Sequence, residues 1–253
     1  MQQQVVKRAE TRAGQAAGAS RLDRGAMWLA RHWLFLANLS FGLFAAGTLL
    51  APVLMRLGLD FPARIVYRFY SFFCHQLPER SYFLFGPHGV DTYSRAQVLA
   101  WGANPGYLRG FIGSPQLGFK VGIAERDLAI YVMLLVAGLG YALVRRRIRG
   151  LSWPWFLLLI LPMALDGGSH VVSEITGLAF RESNAWLATL TGNAFSQTFY
   201  AGTTIGSFNW LMRTVTGSLF AVACVWFAYP YVEEAMADVA ASASATHTQR
   251  HGE

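Results

Sequence analysis

The stretch from Trp153 to Leu178 constrains this chain most, because it is long and apolar enough to cross a bilayer yet carries Asp166, His170 and Glu174 in its second half. Successive members are four residues apart, so on an α-helix they share one slowly drifting face, with Ser169 and Ser173 beside them. A carboxylate near mid-membrane costs roughly 2.5–3.5 kcal/mol on insertion scales, so such a residue faces a partner or a water-filled cavity. The stretch marks a place before it names a chemistry.

Other apolar runs set the fold class. With 54% hydrophobic and only 14% charged residues, the chain has a membrane composition. Its net charge of +7 gathers at the ends of apolar runs, as the positive-inside rule requires, so no nucleic-acid partner follows. Lys7, Arg8, Arg12, Arg21, Arg24 and Arg31 precede the uncharged run Trp33–Met55, which places its start in the cytoplasm. Leu128 to Val144 ends in Arg145, Arg146, Arg147 and Arg149 and returns to that side. The expectation is an all-α polytopic membrane helix bundle of about four transmembrane helices, near 33–55, 128–144, 153–178 and 208–229. They form a single integral membrane domain, 27–234, of a multi-pass cell-membrane protein with both termini cytoplasmic. Residues 1–26 and 235–253 lack apolar periodicity and are expected to be disordered tails. The lipid bilayer is the implied partner, and a membrane-protein partner or a homo-oligomer stays open.

Residues 64–77 form a different kind of element. Arg64, Arg68, Ser71 and His75 recur at spacings of four, three and four beside an aromatic body, which predicts an amphipathic helix, interfacial or re-entrant, ended by Pro78. Residues 86–120 are rich in Gly and Pro and read as an external loop with one short helix over 94–101; 179–207 read as a second, with a short helix over 183–190.

This topology gathers Cys74, His75, Glu79, Arg80, Asp127, Asp166, His170, Glu174, Asn209 and Arg213 at one depth, in or just beyond the outer half of the membrane. His75, Glu79, Asp166 and His170 are the candidates for acid or base catalysis. His75, His170 and Asp166 are the candidate ligands of a divalent transition metal, since imidazoles suit such ions. Asp166 lies about 20 Å from the inner boundary, and Arg213 lies about 9 Å below the outer one, so the two are expected to face each other. That buried ion pair, with Asn209 near it, would either fix helix packing or orient a substrate. Cys74, Arg80, Asp127 and Glu174 complete the candidate set. Each has a structural alternative: Cys74 as a small buried apolar residue, Glu79 and Arg80 as a solvated turn, Glu174 reaching outward from a helix end. Cys224 lies at another depth from Cys74, so no mutual disulfide is expected.

The string Cys74-His75-Gln76-Leu77-Pro78-Glu79-Arg80-Ser81 resembles a motif of the domain of unknown function 2085, a family of small prokaryotic membrane proteins. Pro162-Met163-Ala164-Leu165-Asp166-Gly167 resembles a second motif, and Arg181-Glu182-Ser183-Asn184 with Arg213 and Thr216-Gly217 a third. The resemblance covers residues 65–230 in pieces and implies a multi-helix membrane protein without a transferable activity. Ala124 stands where many members have a second cysteine, which weakens a paired-thiol mechanism; His170 stands where Gln is common and adds a nitrogen ligand.

Three function classes remain. The outer-side cluster could serve an enzyme acting on a lipid or quinone-like substrate, a cation- or proton-binding transport component, or a non-catalytic subunit or assembly factor of a membrane complex. Nucleophile, phosphate-cradle and cofactor motifs are absent from the sequence, so no reaction type is assigned.

Overall fold

The apolar runs become four helices of spanning length in the computed structural model, which describes residues 21–145 and 147–244: α1 (Arg21–Arg56), α4 (Glu125–Val144), α5 (Trp153–Thr176) and α9 (Phe208–Ser244). At most a third of each apolar window is buried within the bundle, as lipid-facing helices require, with Leu43, Leu143, Leu158 and Val215 among the outward residues. The all-α polytopic architecture is thus what the sequence implies.

Helix α9 is the axis of the bundle. It packs on α1, α4 and α5, and α1 and α4 also pack on each other, whereas α5 packs closely only on α9 among the spans. A cleft is therefore left between α4 and α5. Gly217 allows the α4–α9 approach: a Cβ there would sit 3.0 Å from the Arg126 carbonyl oxygen. Toward the chain ends, Trp33, Leu34, Tyr141, Val225 and Tyr229 form an apolar core, and Trp33 Nε1 donates to Glu233 at 3.0 Å. The α4–α5 turn is tied to α9 by the Leu151 amide, which donates to the Trp226 carbonyl.

Two boundaries differ from expectation. Residues 21–26 and 235–244 are helical rather than disordered, because the two helices extend side by side: Met236 packs on the Trp33 core, and Ser244 Oγ lies 3.7 Å from Met27 Sδ. The outer parts of the expected tails, 1–20 and 245–253, lie outside the described residues.

The amphipathic helix α2 (Asp60–Tyr70) ends seven residues before the expected Leu77. Its end is set by tertiary hydrogen bonds. The Tyr70 hydroxyl donates to the Phe44 carbonyl of α1 at 2.8 Å, and Gln76 Nε2 donates both to the Tyr67 carbonyl at 2.8 Å and to the Gly122 carbonyl at 2.7 Å. Gln76 adopts a positive φ of 53°, which turns residues 71–77 into a strap over the bundle.

The first long loop holds more structure than its Gly and Pro content suggests. Strands β1 (Phe83–Gly86), β2 (Gly89–Asp91), β3 (Gly113–Ser114) and β4 (Gly118–Lys120) form an antiparallel sheet in the order β2-β1-β4-β3. The short helix expected over 94–101 is α3 (Arg95–Ala100), and it starts in a reciprocal cap between Ser94 and Gln97. Phe83, Tyr93, Val98, Ala103 and Leu108 give this layer its own core. The sheet escapes sequence patterning because its strands are two to four residues long and Gly-rich. The second loop carries α6 (Phe180–Ser183), α7 (Ala185–Leu190) and α8 (Gln197–Tyr200).

Candidate functional site

Asp166, His170 and Ser173 are the buried residues of α5, so the first two members of the four-residue spacing turn inward with the neighbouring Ser173, while the third, Glu174, is exposed. Asp166 accepts one hydrogen bond from Arg126 on its Oδ2 and another from Arg181 on its Oδ1. Both of its oxygens are thereby taken by guanidinium groups. Arg181 Nη2 also donates to His170 Nε2 at 3.2 Å, so that ring nitrogen carries a lone pair.

The chain brings Arg181 back to α5 through a tight reversal. Gly177 ends the helix in the left-handed region, and Ala179 and Asn184 have φ of 49° and 43°. The Arg181 amide donates to Ser173 Oγ at 3.1 Å, and its carbonyl accepts from the side-chain amides of Asn184 and Asn209. Asn209 is thus a buried positioning group for Arg181. Burial lowers the Arg181 pKa from its ordinary value, while the carboxylate of Asp166 opposes the shift.

Arg213, expected opposite Asp166, pairs instead with Glu125 at the start of α4, Nη1 to Oε2 at 3.2 Å. Depth alone leaves azimuth undetermined. Arg126 reaches across the α4–α5 cleft to Asp166 and fills the place assigned to Arg213.

These residues wall a cavity of about 690 Å³ on the loop side of the cleft, under the 71–77 strap. Of the anticipated residues, Cys74, His75, Arg80, Asp127, His170, Glu174 and Arg213 line it. Asp166 stands behind its wall. Glu79 borders a separate pocket, with His75 and Glu174 on both. Glu174 is an outward group, 3.9 Å from Arg80 and largely exposed, so this ion pair contributes little.

Cys74 is buried, and its sulfur accepts from the amides of Gln76 and Ala124, both at 3.3 Å. Desolvation first, and then the charge of Asp127, push the thiol up to about 12. Such a thiol is a poor nucleophile near neutrality. Position 124, where the resemblance expects cysteine, lies directly against Cys74.

Metal ligation by His75, His170 and Asp166 does not fit these surroundings. Asp166 spends both oxygens on arginines, and the His170 Nε2 lone pair is taken by Arg181, one of those two arginines. Among the described residues no group of three or more His, Cys, Asp and Glu side chains is placed to hold an ion. The donors favour an anion: the Nε atoms of Arg80 and Arg126 and Nη2 of Arg213 are buried without hydrogen-bond partners.

Arg126, Arg181 and Glu125 were not among the residues singled out for a site. Arg181 was visible as a motif residue and Glu125-Arg126 as the polar opening of a helix. Their partners lie 40, 15 and 88 positions away, so no spacing rule could pair them.

The fold and cavity are those of a multi-span membrane protein with an arginine-lined site on its loop side. Residues 116–201 match the family model described as "Predicted membrane protein (DUF2085)", which bears out the resemblance and contains the Pro162–Gly167 and Arg181–Asn184 motifs, while Cys74–Ser81 lies outside the match. An uncharacterised protein of Methanocaldococcus jannaschii is 26% identical over 183 residues, covering 69% of this chain and 88% of that protein. No solved structure matches the chain.

Proposed function

We propose that this membrane protein binds an anionic amphiphile, a lipid-class molecule with an acidic headgroup, in the cavity between α4, α5, α9 and the 71–77 strap. The observation that carries this reading is the gathering of three arginines, Arg80, Arg126 and Arg213, on the wall of that cavity. An acidic headgroup seated beside three guanidinium groups gains charge-assisted hydrogen bonds. The apolar body of the ligand is matched by Phe73 and Val171, which line the same cavity and are exposed on the bundle surface, so a tail can leave sideways into lipid.

The same arginines oppose a path for a metal cation, since like charge at short range raises its energy inside a low-dielectric bundle. Six basic residues before the uncharged run at Trp33 and the arginines after α4 support cytoplasmic termini, with the cavity facing the outer leaflet.

Dodecyl phosphate and dodecanol test the reading by calorimetric titration into the detergent-purified protein. The phosphate should bind at least tenfold more tightly than the alcohol, and Arg80→Gln, which leaves the buried pairs intact, should weaken it by about tenfold. Equal affinity for the two ligands, or an unchanged affinity in Arg80→Gln, would overturn it.

A further inference from the structure

A second basic pocket, of about 540 Å³, lies on the other side of the 71–77 strap. It is lined by Arg64 and Arg68 from α2 and by Arg109 from the loop layer, with Ser71, Tyr107 and Phe72 between them. Arg64 and Arg68 are one helical turn apart and so share a face. Arg109 is brought to them from beyond the first sheet strands by its own backbone, whose carbonyl accepts from the Lys120 ammonium at 2.8 Å. The strap is pinned in the same way, because Lys120 Nζ also donates to the Gln76 carbonyl at 2.9 Å. Three guanidinium groups are therefore held around one opening by the fold.

None of the three has a carboxylate within ion-pair distance among the described residues, unlike Arg126, Arg181 and Arg213. The Tyr67 hydroxyl on this wall is committed to the Lys120 carbonyl. Gathering unneutralised like charges is unfavourable unless an anion joins them. The adjoining surface says where that anion comes from. Phe61, Ile65, Phe69 and Phe72 recur at spacings of four, four and three, and all are exposed, forming an apolar ridge along α2 beside the arginines. A guanidinium cluster flanked by an aromatic ridge is the arrangement that seats a phosphate at the headgroup level while acyl chains lie along the ridge.

We propose that Arg64, Arg68 and Arg109 form a binding site for the phosphate group of an anionic phospholipid, separate from the α4–α5 cavity. The site holds α2 at the membrane surface and clamps the strap from outside. It does not depend on the cavity's ligand, because none of its three arginines lines that cavity.

The test uses the full-length protein in nanodiscs of phosphatidylcholine with and without phosphatidic acid, and in detergent with the same lipids or with inorganic phosphate, counting bound lipids by native mass spectrometry. Wild type should retain one phosphatidic acid more than Arg68→Gln/Arg109→Gln, with lipid affinity falling about tenfold or more in the double variant. Arg80→Gln should leave this bound lipid in place, which separates failure here from failure of the cavity reading. The two exposed or half-exposed positions are chosen so that the fold survives, and an unchanged circular-dichroism spectrum checks this. Equal retention of phosphatidic acid and phosphatidylcholine by wild type, or equal retention by wild type and the double variant, would overturn the proposal. Displacement of the lipid by inorganic phosphate at equal concentration would overturn the lipid assignment in favour of free phosphate.

Discussion

Arg213 on α9 and Glu125 at the start of α4 form the most deeply buried ion pair among the described residues, 3.2 Å apart with side chains 3% and 0% exposed. The pair locks α4 to α9 at the level where Gly217 permits their close approach. It also leaves Arg213 Nη2 buried without a hydrogen-bond partner.

Breaking either partner should therefore be costly. Glu125→Ala and Arg213→Ala are each expected to destabilise the protein by about 3–5 kcal/mol, because each strands a buried charge. The double variant should lose much less than the sum. A matching cycle on Asp166 and Arg213 should be near additive, since Asp166 is held by Arg126 and Arg181. Denaturant unfolding in detergent measures both cycles; coupling confined to Asp166 and Arg213 would mean that the pairing described is wrong.

Lys120 makes stability depend on pH in the alkaline range. Burial lowers its pKa to about 7, although it donates to two carbonyls. Between about pH 7 and the ordinary lysine value, the unfolded chain holds a proton that the folded protein has released. Stability should thus rise with pH above about 7, by at most about 1.4 kcal/mol per unit, and the penalty should be fully present below that pH. Lys120→Met should be less stable overall, having orphaned two carbonyls, but should lack this rising limb. A limb of equal slope in wild type and variant would exclude Lys120 as its source.

Cys74 should behave as an inert thiol. With its pKa pushed up to about 12, about one molecule in ten thousand carries the thiolate at pH 8. In a Cys224→Ser background, maleimide labelling of the folded protein should be at least about a thousandfold slower than after denaturation. Equal rates would show that the sulfur is neither buried nor held by the amides of Gln76 and Ala124.

How far the sequence reaches is clearest on α5. Spacing alone identifies the face bearing Asp166 and His170, because the helical period is a local property fixed by backbone hydrogen bonds, although Glu174, the next member of the series, turns outward. The four spans are legible for a related reason: a bilayer demands a long apolar run whatever the neighbours are. The depth of the polar residues follows by counting. What counting cannot supply is rotation about each helix axis and the return path of a loop. Arg126 and Arg213 sit near the same level, and only the packing of α9 against α4, with α5 standing off from α4, decides that the first reaches Asp166 and the second Glu125. The end of α2 at Tyr70 and the four short strands were likewise decided by partners far along the chain, Phe44 and Gly122 for the helix and strap, and Phe119 opposite Leu84 in the sheet. The sequence by itself determined the four spans and the inward turn of Asp166 and His170; the tertiary structure alone decided which charges meet, because an ion pair depends on azimuth and on a few ångströms of side-chain reach that no periodicity encodes.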